Sequence, residues 1–195
     1  ILGDAQVAAE ALLCRLVARQ GERDVDPARL AEIRAAKSAW TEELASWSRS
    51  DASPISPRRA LAELAAALPD DAIVTSDIGN ICSVANAYMK FDRPRSFLPA
   101  LGFGNCGFAY PGALGAKVAA PDRPVAAIIG DGAWGMSLHE VMTAVEEDLP
   151  VVACVFNNRQ WGAEKKNQID YYDDRFIGAN IGHEIGGFDF AAIAR

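Results

Sequence analysis

The stretch IIGDGAWGMSLHEVMTAVEEDLPVVACVFNN, at residues 128–158, decides the fold. Two apolar runs, one ending in Gly-Asp-Gly and the other in Asn-Asn, flank residues 137–148, where apolar side chains recur at helical spacing. Ser137 followed by Glu140 is a capping-box pattern for the start of that helix. The side chains on its apolar face are Leu138, Val141, Met142 and Val145. A strand, a helix and a second strand predict a βαβ unit whose strands are parallel.

The same alternation of helices and strands extends over most of the chain. The predicted strands are at residues 72–77, 124–132 and 150–158, and the predicted helices at residues 57–68, 79–91, 112–120 and 137–148. Strands that are separated by helices of about ten residues are typical of a parallel sheet. We therefore predict an α/β fold, a doubly wound parallel sheet with helices on both faces.

Composition divides the chain into three parts. Residues 1–18 have amphipathic helical spacing, residues 19–55 are polar and end in a Ser- and Pro-containing linker, and the regular alternation occupies residues 56–195. The first residue is not methionine, and the last residues have the pattern of an unfinished helix. We interpret the chain as a fragment that contains the end of a preceding domain, a helical linker segment and an α/β domain truncated at its C-terminus.

Charge and cysteine content exclude several classes of protein. The net charge is −7 and no long run of lysine or arginine occurs, which argues against binding to nucleic acid or to an anionic membrane. No apolar run is long enough to be a transmembrane helix. The 4 cysteines lie far apart, as is usual in a reducing compartment, so we expect a cytoplasmic protein.

Polar side chains follow the two predicted strands of the βαβ unit. Asp131 ends the first strand and Asn158 ends the second, so in a parallel sheet both lie at the same edge, where ligands bind. A carboxylate and an amide oxygen are ligands that Mg²⁺ prefers. Gly130 and Gly132 carry no side chain, so backbone N–H groups can approach an anion. The sequence therefore predicts a site for magnesium and a diphosphate.

Gly-Asp-Gly followed by Asn-Asn resembles the cofactor-binding motif of thiamine-diphosphate-dependent enzymes. Residues 102–125 are similar to the stretch before this motif in acetolactate-synthase-like members, and DIGN at residues 77–80 resembles their diphosphate-contacting turn. The resemblance covers residues 56–195 and implies the C-terminal pyrophosphate-binding domain of such an enzyme. Residues 1–18 resemble the tail of the central domain that precedes it.

The resemblance implies thiamine diphosphate and Mg²⁺ as cofactors and gives a role to each matching residue. The side chains of Asp131 and Asn158 and the backbone carbonyl of Gln160 would bind Mg²⁺. Backbone N–H groups of four residues would bind the diphosphate, and two residues of the neighbouring turn would contact it. These are Gly132, Ala133, Trp161 and Gly162, and Gly79 and Asn80.

A second segment would orient the cofactor's rings. By resemblance, the carbonyl of Gly104 would accept a hydrogen bond from the 4'-amino group of the cofactor. Cys106 occupies the position of the residue that wedges the two rings into a bent conformation. Relatives usually carry a larger aliphatic residue or methionine there, so Cys106 is interpreted either as this wedge or as a small core residue.

The group that activates the cofactor is expected on another domain. In the family, this group is a glutamate of the N-terminal pyrimidine-binding domain of a partner subunit, so no glutamate of this chain is given that role. His139 and His183 are interpreted as structural residues. Because the family binds the cofactor between two subunits, we expect a homodimer or homotetramer.

The loop NRQWGAEKKNQ at residues 158–168 is similar to that of the sulfoacetaldehyde acetyltransferases. The resemblance implies an acyltransferase that converts sulfoacetaldehyde and phosphate into acetyl phosphate and sulfite. Both substrates are anions, so a nearby cation is expected. Arg159, Lys165 and Lys166 are the candidates, although Glu-Lys-Lys is also typical of a solvated helix start.

Other functions remain open. An acetolactate-synthase-like carboligase or decarboxylase that acts on a 2-oxo acid would share nearly all of these motifs. The short subunit of a split sulfopyruvate-type decarboxylase would not need residues 1–55. A cofactor-binding chain without catalytic activity would have no physical need for the intact Asp131 and Asn158 pair.

Overall fold

The computed structural model describes residues 2–21, 24–182 and 187–194 and divides the chain into two compact units, Ile1–Ala45 and Ser46–Arg195. The first unit contains α1 (Ala5–Gln20) and most of α2 (Pro27–Ser48). Helix α1 begins where the side chain of Asp4 accepts a hydrogen bond from the N–H of Val7, a standard N-cap. His183 lies outside the described residues. Within those residues, no helix has the length and apolarity needed to cross a membrane.

The second unit alternates helices with short strands. Its helices are α3 (Pro57–Ala67), α4 (Asn80–Tyr88), α5 (Ala109–Ala119), α6 (Asp131–Ser137), α7 (Glu140–Glu146), α8 (Gly162–Tyr171) and α9 (Phe190–Ile193). Its strands are β1 (Ile73–Ser76), β2 (Phe97–Pro99), β3 (Val125–Gly130) and β4 (Val152–Phe156). Strand β2 was not predicted, because its three residues carry no periodic pattern.

The four strands form one parallel sheet in the order β2-β1-β3-β4. Ser76 at the end of β1 is opposite Pro99 of β2 and Ile128 of β3, while Gly130 at the end of β3 is opposite Phe156 of β4. The carboxyl ends of all four strands therefore meet at one edge of the sheet, and the predicted α/β fold is confirmed.

Helices cover both faces of this sheet. Alternate residues of each strand point to opposite sides, so each face carries apolar side chains that the helices bury. On one face, Ile73 and Ile129 pack in a cluster with residues of α5 and α6. On the other face, Val74 and Ile128 pack with Leu61 of α3 and with residues of α4. All four of these strand residues are at most 4% exposed, so each face of the sheet has a buried apolar core.

The helix predicted at residues 137–148 is shorter than expected, and its predicted cap is wrong. Ser137 is the last residue of α6, is buried, and donates its hydroxyl to the carbonyl of Ala133. Helix α7 starts only at Glu140, after a turn at Leu138 and His139. Leu138 and Val141 pack on the core as predicted, whereas Met142 and Val145 are 68% and 76% exposed.

Candidate functional site

The carboxylate of Asp131 joins the ends of β3 and β4. It is 3% exposed, and its two oxygens accept hydrogen bonds from the N–H of Gly132 at 2.8 Å and the N–H of Arg159 at 2.5 Å. Burial raises the pKa of Asp131 above its usual range, while these backbone N–H groups act in the opposite direction. A buried carboxylate that sits at a strand end in this way is suited to a cation.

The other two predicted metal ligands lie in the turn that follows β4. The side-chain oxygen of Asn158 accepts a hydrogen bond from the N–H of Gln160 at 3.2 Å. Between them, Arg159 has a left-handed φ of 57°, which turns its N–H toward Asp131. The sheet topology thus brings the three predicted ligands to one place, and their binding of Mg²⁺ stays a prediction.

Two glycines make room at this site. A Cβ on Gly132 would lie 2.7 Å from the indole ring of Trp161, so that ring packs directly on the backbone after Asp131. A Cβ on Gly162 would lie 3.1 Å from Nδ2 of Asn158 and 3.4 Å from Nδ2 of Asn80. The turn before α4, the turn after β4 and the start of α8 therefore meet around Gly162.

A pocket of about 330 Å³ opens at this meeting point. It is lined by Asn80, Asn158, Gln160, Gly162, Lys165, Lys166, Ile169 and Asp170. The first six of these residues are predicted site residues from two separate segments of the sequence. The first N–H groups of α4 and α8 have no acceptor within their own helices, and such groups favour an anion.

Some predicted site residues already have other contacts in the structure. The N–H of Trp161 donates to the carbonyl of Ala179 at 2.9 Å, so a diphosphate would have to compete with that carbonyl. The side chain of Arg159 runs past Gly187, where an added Cβ would lie 3.0 Å from its Cδ, and Arg159 does not line the 330 Å³ pocket. The exposed His139 lies 3.3 Å from the carboxylate of Glu140.

The two lysines differ in their partners. Lys166 forms an ion pair with Asp170 at 2.6 Å. Lys165 donates instead to the neutral side-chain oxygen of Asn180 at 3.2 Å, and its ammonium lies 5.3 Å from the centre of the Phe176 ring. The charge of Lys166 is therefore neutralised by an acid, whereas Asn180 and the Phe176 ring, both uncharged, leave the charge of Lys165 in place.

The predicted ring-binding residues lie in the loop between β2 and α5. Gly104 has a left-handed φ of 79° and lies beside the side chain of Ile78. Cys106 is half-buried and packs against the core cluster that contains α5 and α6. Burial, with smaller contributions from the charges of Asp77 and Glu164, raises the pKa of the Cys106 thiol.

Sequence reasoning missed the role of Asp77 beside this loop. Asp77 is 0% exposed, and its carboxylate accepts hydrogen bonds from the N–H groups of Phe108 and Ala109, each at 3.1 Å. The signal was present, because Asp77, like Asp131, is an acid at the end of a buried strand, with a glycine two positions later at Gly79. Asn180 gave no such signal, since its contact with Lys165 spans fifteen positions.

The residues present fit the implied cofactors. A carboxylate, an amide oxygen and a backbone carbonyl are hard oxygen ligands, which suit Mg²⁺ when phosphate oxygens complete its coordination. Among the described residues, no three histidine, cysteine, aspartate or glutamate side chains cluster as a metal site. This oxygen set is thus of the kind that binds a metal together with a phosphorylated ligand. The absence of a Cβ at Gly162 leaves the backbone there open to such a ligand, whereas the N–H of Gly132 already donates to Asp131.

Comparisons with known proteins agree with this geometry. Residues 77–195 match the family described as thiamine pyrophosphate enzyme, C-terminal TPP binding domain. The chain is 46% identical, over its full length and 35% of the relative, to a protein named sulfoacetaldehyde acetyltransferase from Castellaniella defragrans. It is 37% identical, over 80% of the chain and 28% of the relative, to a probable acetolactate synthase large subunit from Methanococcus aeolicus.

A solved structure shares the fold. It is the thiamine diphosphate-dependent 4-hydroxybenzoylformate decarboxylase of Rhodococcus jostii RHA1, which is 27% identical and superposes with a TM-score of 0.64 over 74% of this chain and 30% of its own. The chain spans about a third of the length of the curated relatives it matches. By its sequence match and by its fold, the chain belongs to the thiamine pyrophosphate enzyme family, and residues 77–195 are its C-terminal TPP-binding domain.

Proposed function

We propose that the chain is part of an acyltransferase, dependent on thiamine diphosphate and Mg²⁺, that converts sulfoacetaldehyde and phosphate into acetyl phosphate and sulfite. The observation that carries the proposal is the pocket where Asn80, Asn158, Gln160 and Lys165 meet. Asp131 does not line it but accepts a hydrogen bond from Arg159, in the turn between Asn158 and Gln160. A site of this kind combines ligands for a divalent cation with a positive charge for an anionic substrate. Similarity to a sulfoacetaldehyde acetyltransferase over the whole chain supports the choice of substrate.

In this proposal, three segments bind the cofactor's diphosphate through Mg²⁺ and through backbone N–H groups. Asp131, Asn158 and the carbonyl of Gln160 are the metal ligands. The residues that contact the diphosphate are Gly132, Ala133, Trp161 and Gly162 on one side and Gly79 and Asn80 on the other. Mg²⁺ offsets the charge that the diphosphate brings next to the buried Asp131 carboxylate.

The loop between β2 and α5 would orient the rings of the cofactor. The carbonyl of Gly104 would accept from the 4'-amino group, and Cys106 would contact the rings from the core side. When bound, thiamine diphosphate supplies a carbon nucleophile that also serves as an electron sink. Because the pKa of Cys106 is raised, its side chain stays a neutral thiol at neutral pH and acts there through shape.

The positive charge of Lys165 would attract sulfoacetaldehyde or phosphate. Its ammonium donates to Asn180, a neutral group, and lies at the pocket that contains Asn158. Lys166 lines the same pocket, but its ion pair with Asp170 offsets its charge. We therefore give Lys165 the larger share in anion binding and Lys166 the smaller. Arg159 has no direct role here, because its side chain runs toward Gly187.

The runner-up is an acetolactate-synthase-like enzyme that acts on a 2-oxo acid. Similarity to a probable acetolactate synthase large subunit favours it, and the cofactor site would be the same. We also propose a cytoplasmic homodimer or homotetramer, with residues 1–18 belonging to a central domain, residues 19–55 to a linker and residues 56–195 to the cofactor-binding domain. The whole chain, including residues 1–55, matches about a third of a longer relative, and this supports the arrangement over a short split subunit.

The test is a parallel assay of the enzyme at its full natural length with thiamine diphosphate, Mg²⁺ and phosphate. Sulfoacetaldehyde and pyruvate are offered separately, and sulfite, acetyl phosphate, CO₂ and acetolactate are followed. Release of sulfite that requires phosphate is the expected result. Release of CO₂ and acetolactate from pyruvate, without sulfite from sulfoacetaldehyde, would establish the runner-up.

A further inference from the structure

Asp77 connects the two segments that would bind opposite ends of the cofactor. Its backbone N–H donates to the carbonyl of Ile128 in β3 at 3.0 Å, which fixes the residue to the centre of the sheet. Its side chain reaches the first turn of α5, where its oxygens accept from the N–H groups of Phe108 and Ala109. The N–H of Gly107 contributes as well. One buried residue thus joins the end of β1, the neighbouring strand and the start of a helix.

The loop before α5 is tied to β1 at its other end too. The N–H of Ala100 donates to the carbonyl of Ser76 at 2.9 Å, and the N–H of Gly104 donates to the carbonyl of Ala100 at 3.0 Å. Between these bonds and the Asp77 carboxylate, Gly104 and Cys106 have little freedom to move relative to β1. The turn with Gly79 and Asn80 starts two residues after Asp77.

The same loop also packs against the helix that starts at Asp131. An added Cβ on Gly107 would lie 3.2 Å from Cβ of Met136 and 3.7 Å from the carbonyl of Ala133, so the backbone of Gly107 contacts α6 closely. A shift of the α5 start would therefore move the loop relative to both the Gly79 turn and Asp131. The N–H groups of a helix start favour an ionised acceptor, which suits a carboxylate at this place.

We infer that Asp77 is a positioning residue that sets the distance between the Gly104 and Cys106 loop and the Gly79 turn, and thereby aligns the cofactor's rings with its diphosphate. The inference rests on the proposed cofactor binding. Asp77 itself touches neither end of the cofactor in this assignment. Its removal is therefore expected to disturb ring alignment more than diphosphate binding.

Asp77→Asn tests this inference in the enzyme at its full natural length. The amide keeps the shape of the carboxylate but turns an NH₂ group toward backbone N–H donors, so one hydrogen bond is lost. Asp77→Ser is the second variant, because it retains one acceptor and removes the charge. Ser96→Ala is the matched control, since Ser96 is also buried and its hydroxyl accepts a hydrogen bond from Arg123 at 2.8 Å, at the start of β2 and away from the loop before α5.

Three quantities are measured: amide hydrogen exchange of residues 107–109 without cofactor, the Kd of thiamine diphosphate, and the exchange rate of the thiazolium C2 proton in D₂O. Both Asp77 variants are expected to raise the amide exchange. They are expected to slow C2-proton exchange about tenfold or more, because small misplacements of reacting groups have effects of that size, with Kd changed less than about threefold. Ser96→Ala is expected to lower Tm while leaving C2-proton exchange unchanged.

Two outcomes overturn the inference. In one, the Asp77 variants lower Tm as the control does but exchange the C2 proton at the wild-type rate, which leaves Asp77 a structural role only. In the other, Kd rises more than C2-proton exchange falls, which makes Asp77 a determinant of diphosphate binding. Failure of the proposed function is distinct, because it appears in the wild-type enzyme as absent cofactor binding or absent sulfite release.

Discussion

The backbone N–H of Arg159 donates a 2.5 Å hydrogen bond to the carboxylate of Asp131, across the ends of β3 and β4. This bond aligns the turn that contains Asn158 and Gln160 with the start of α6. The buried carboxylate of Asp131 would repel a bound diphosphate, because both are negatively charged. A metal ion bound by Asp131, Asn158 and Gln160 would offset that repulsion. If Mg²⁺ binds as proposed, this relationship accounts for the acid and the amide at the ends of two neighbouring strands.

Asp131→Ala is expected to weaken Mg²⁺-dependent binding of thiamine diphosphate about 100-fold or more, since it removes the charged metal ligand. The measurement is a calorimetric titration of the full-length enzyme with the cofactor, with and without Mg²⁺. Asp122→Ala, in the exposed loop before β3, is the control for loss of one carboxylate and should bind as the wild type does. Unchanged Mg²⁺-dependent affinity in Asp131→Ala would remove Asp131 from the metal site.

Gly132→Ala is expected to destabilise the protein by about 1–3 kcal/mol, because the new methyl group would lie 2.7 Å from the Trp161 ring. The displaced ring would also narrow the approach to the backbone after Asp131, so cofactor affinity should fall. Thermal unfolding without cofactor and cofactor titration measure the two effects separately.

Gly135→Ala is the matched control for that substitution. Gly135 lies in the same helix, α6, and an added Cβ there meets nothing within 4 Å. Its replacement should be neutral or should stabilise by about 0.5–1 kcal/mol, because alanine favours a helix over glycine. Equal effects of the two substitutions would show that the Trp161 contact is not the cause.

Lys165→Met is expected to raise the KM for the anionic substrate or for phosphate about tenfold, because it removes a charge-assisted contact at the pocket. Lys166→Met is the matched control and should change KM less than about twofold, since the ion pair with Asp170 already offsets the charge of Lys166. Steady-state kinetics with each substrate varied in turn measures both. The opposite order of effects would assign the anion to Lys166, and no effect in either would leave both lysines a solvated helix face.

The pH dependence of Cys106 alkylation separates the two interpretations of this residue. Burial and the nearby acids Asp77 and Glu164 raise the pKa of the Cys106 thiol above its ordinary value, so its reactive thiolate is scarcer at pH 8 than that of a free thiol. Alkylation by iodoacetamide should therefore be slower at pH 8 than for a free thiol with an ordinary pKa. Peptide mass spectrometry follows the labelling of Cys106 alone. Fast labelling at pH 8 would instead indicate a reactive thiolate.

Cys106→Val keeps a small apolar side chain and is expected to retain most of the activity, because the neutral thiol acts through packing. Cys106→Asp, which adds a charge in the same half-buried place, should lower both stability and cofactor affinity. Loss of activity in Cys106→Val with normal stability would point to a role of the sulfur itself.

Local sequence patterns predicted the alternating strands and helices of the α/β domain. The apolar runs before Asp131 and Asn158 indicated two strands joined by a helix, and the parallel arrangement of such strands predicts that both residues lie at one edge of the sheet. The fold and the family are confirmed, whereas the roles of the site residues stay predictions. Strand β2 was not predicted, because Phe97–Pro99 is too short to show a pattern and forms a strand by pairing with β1.

The sequence by itself determined the α/β fold, the family and the segments from which the site is built, because periodicity and short motifs are local properties. Only the tertiary structure decided which side chains share the site. It pairs Lys166 with Asp170 and Lys165 with Asn180. It also directs the side chain of Arg159 toward Gly187 and places the Asp77 carboxylate at the start of α5. These contacts depend on how loops pack across strand ends, and no spacing within one segment encodes such packing.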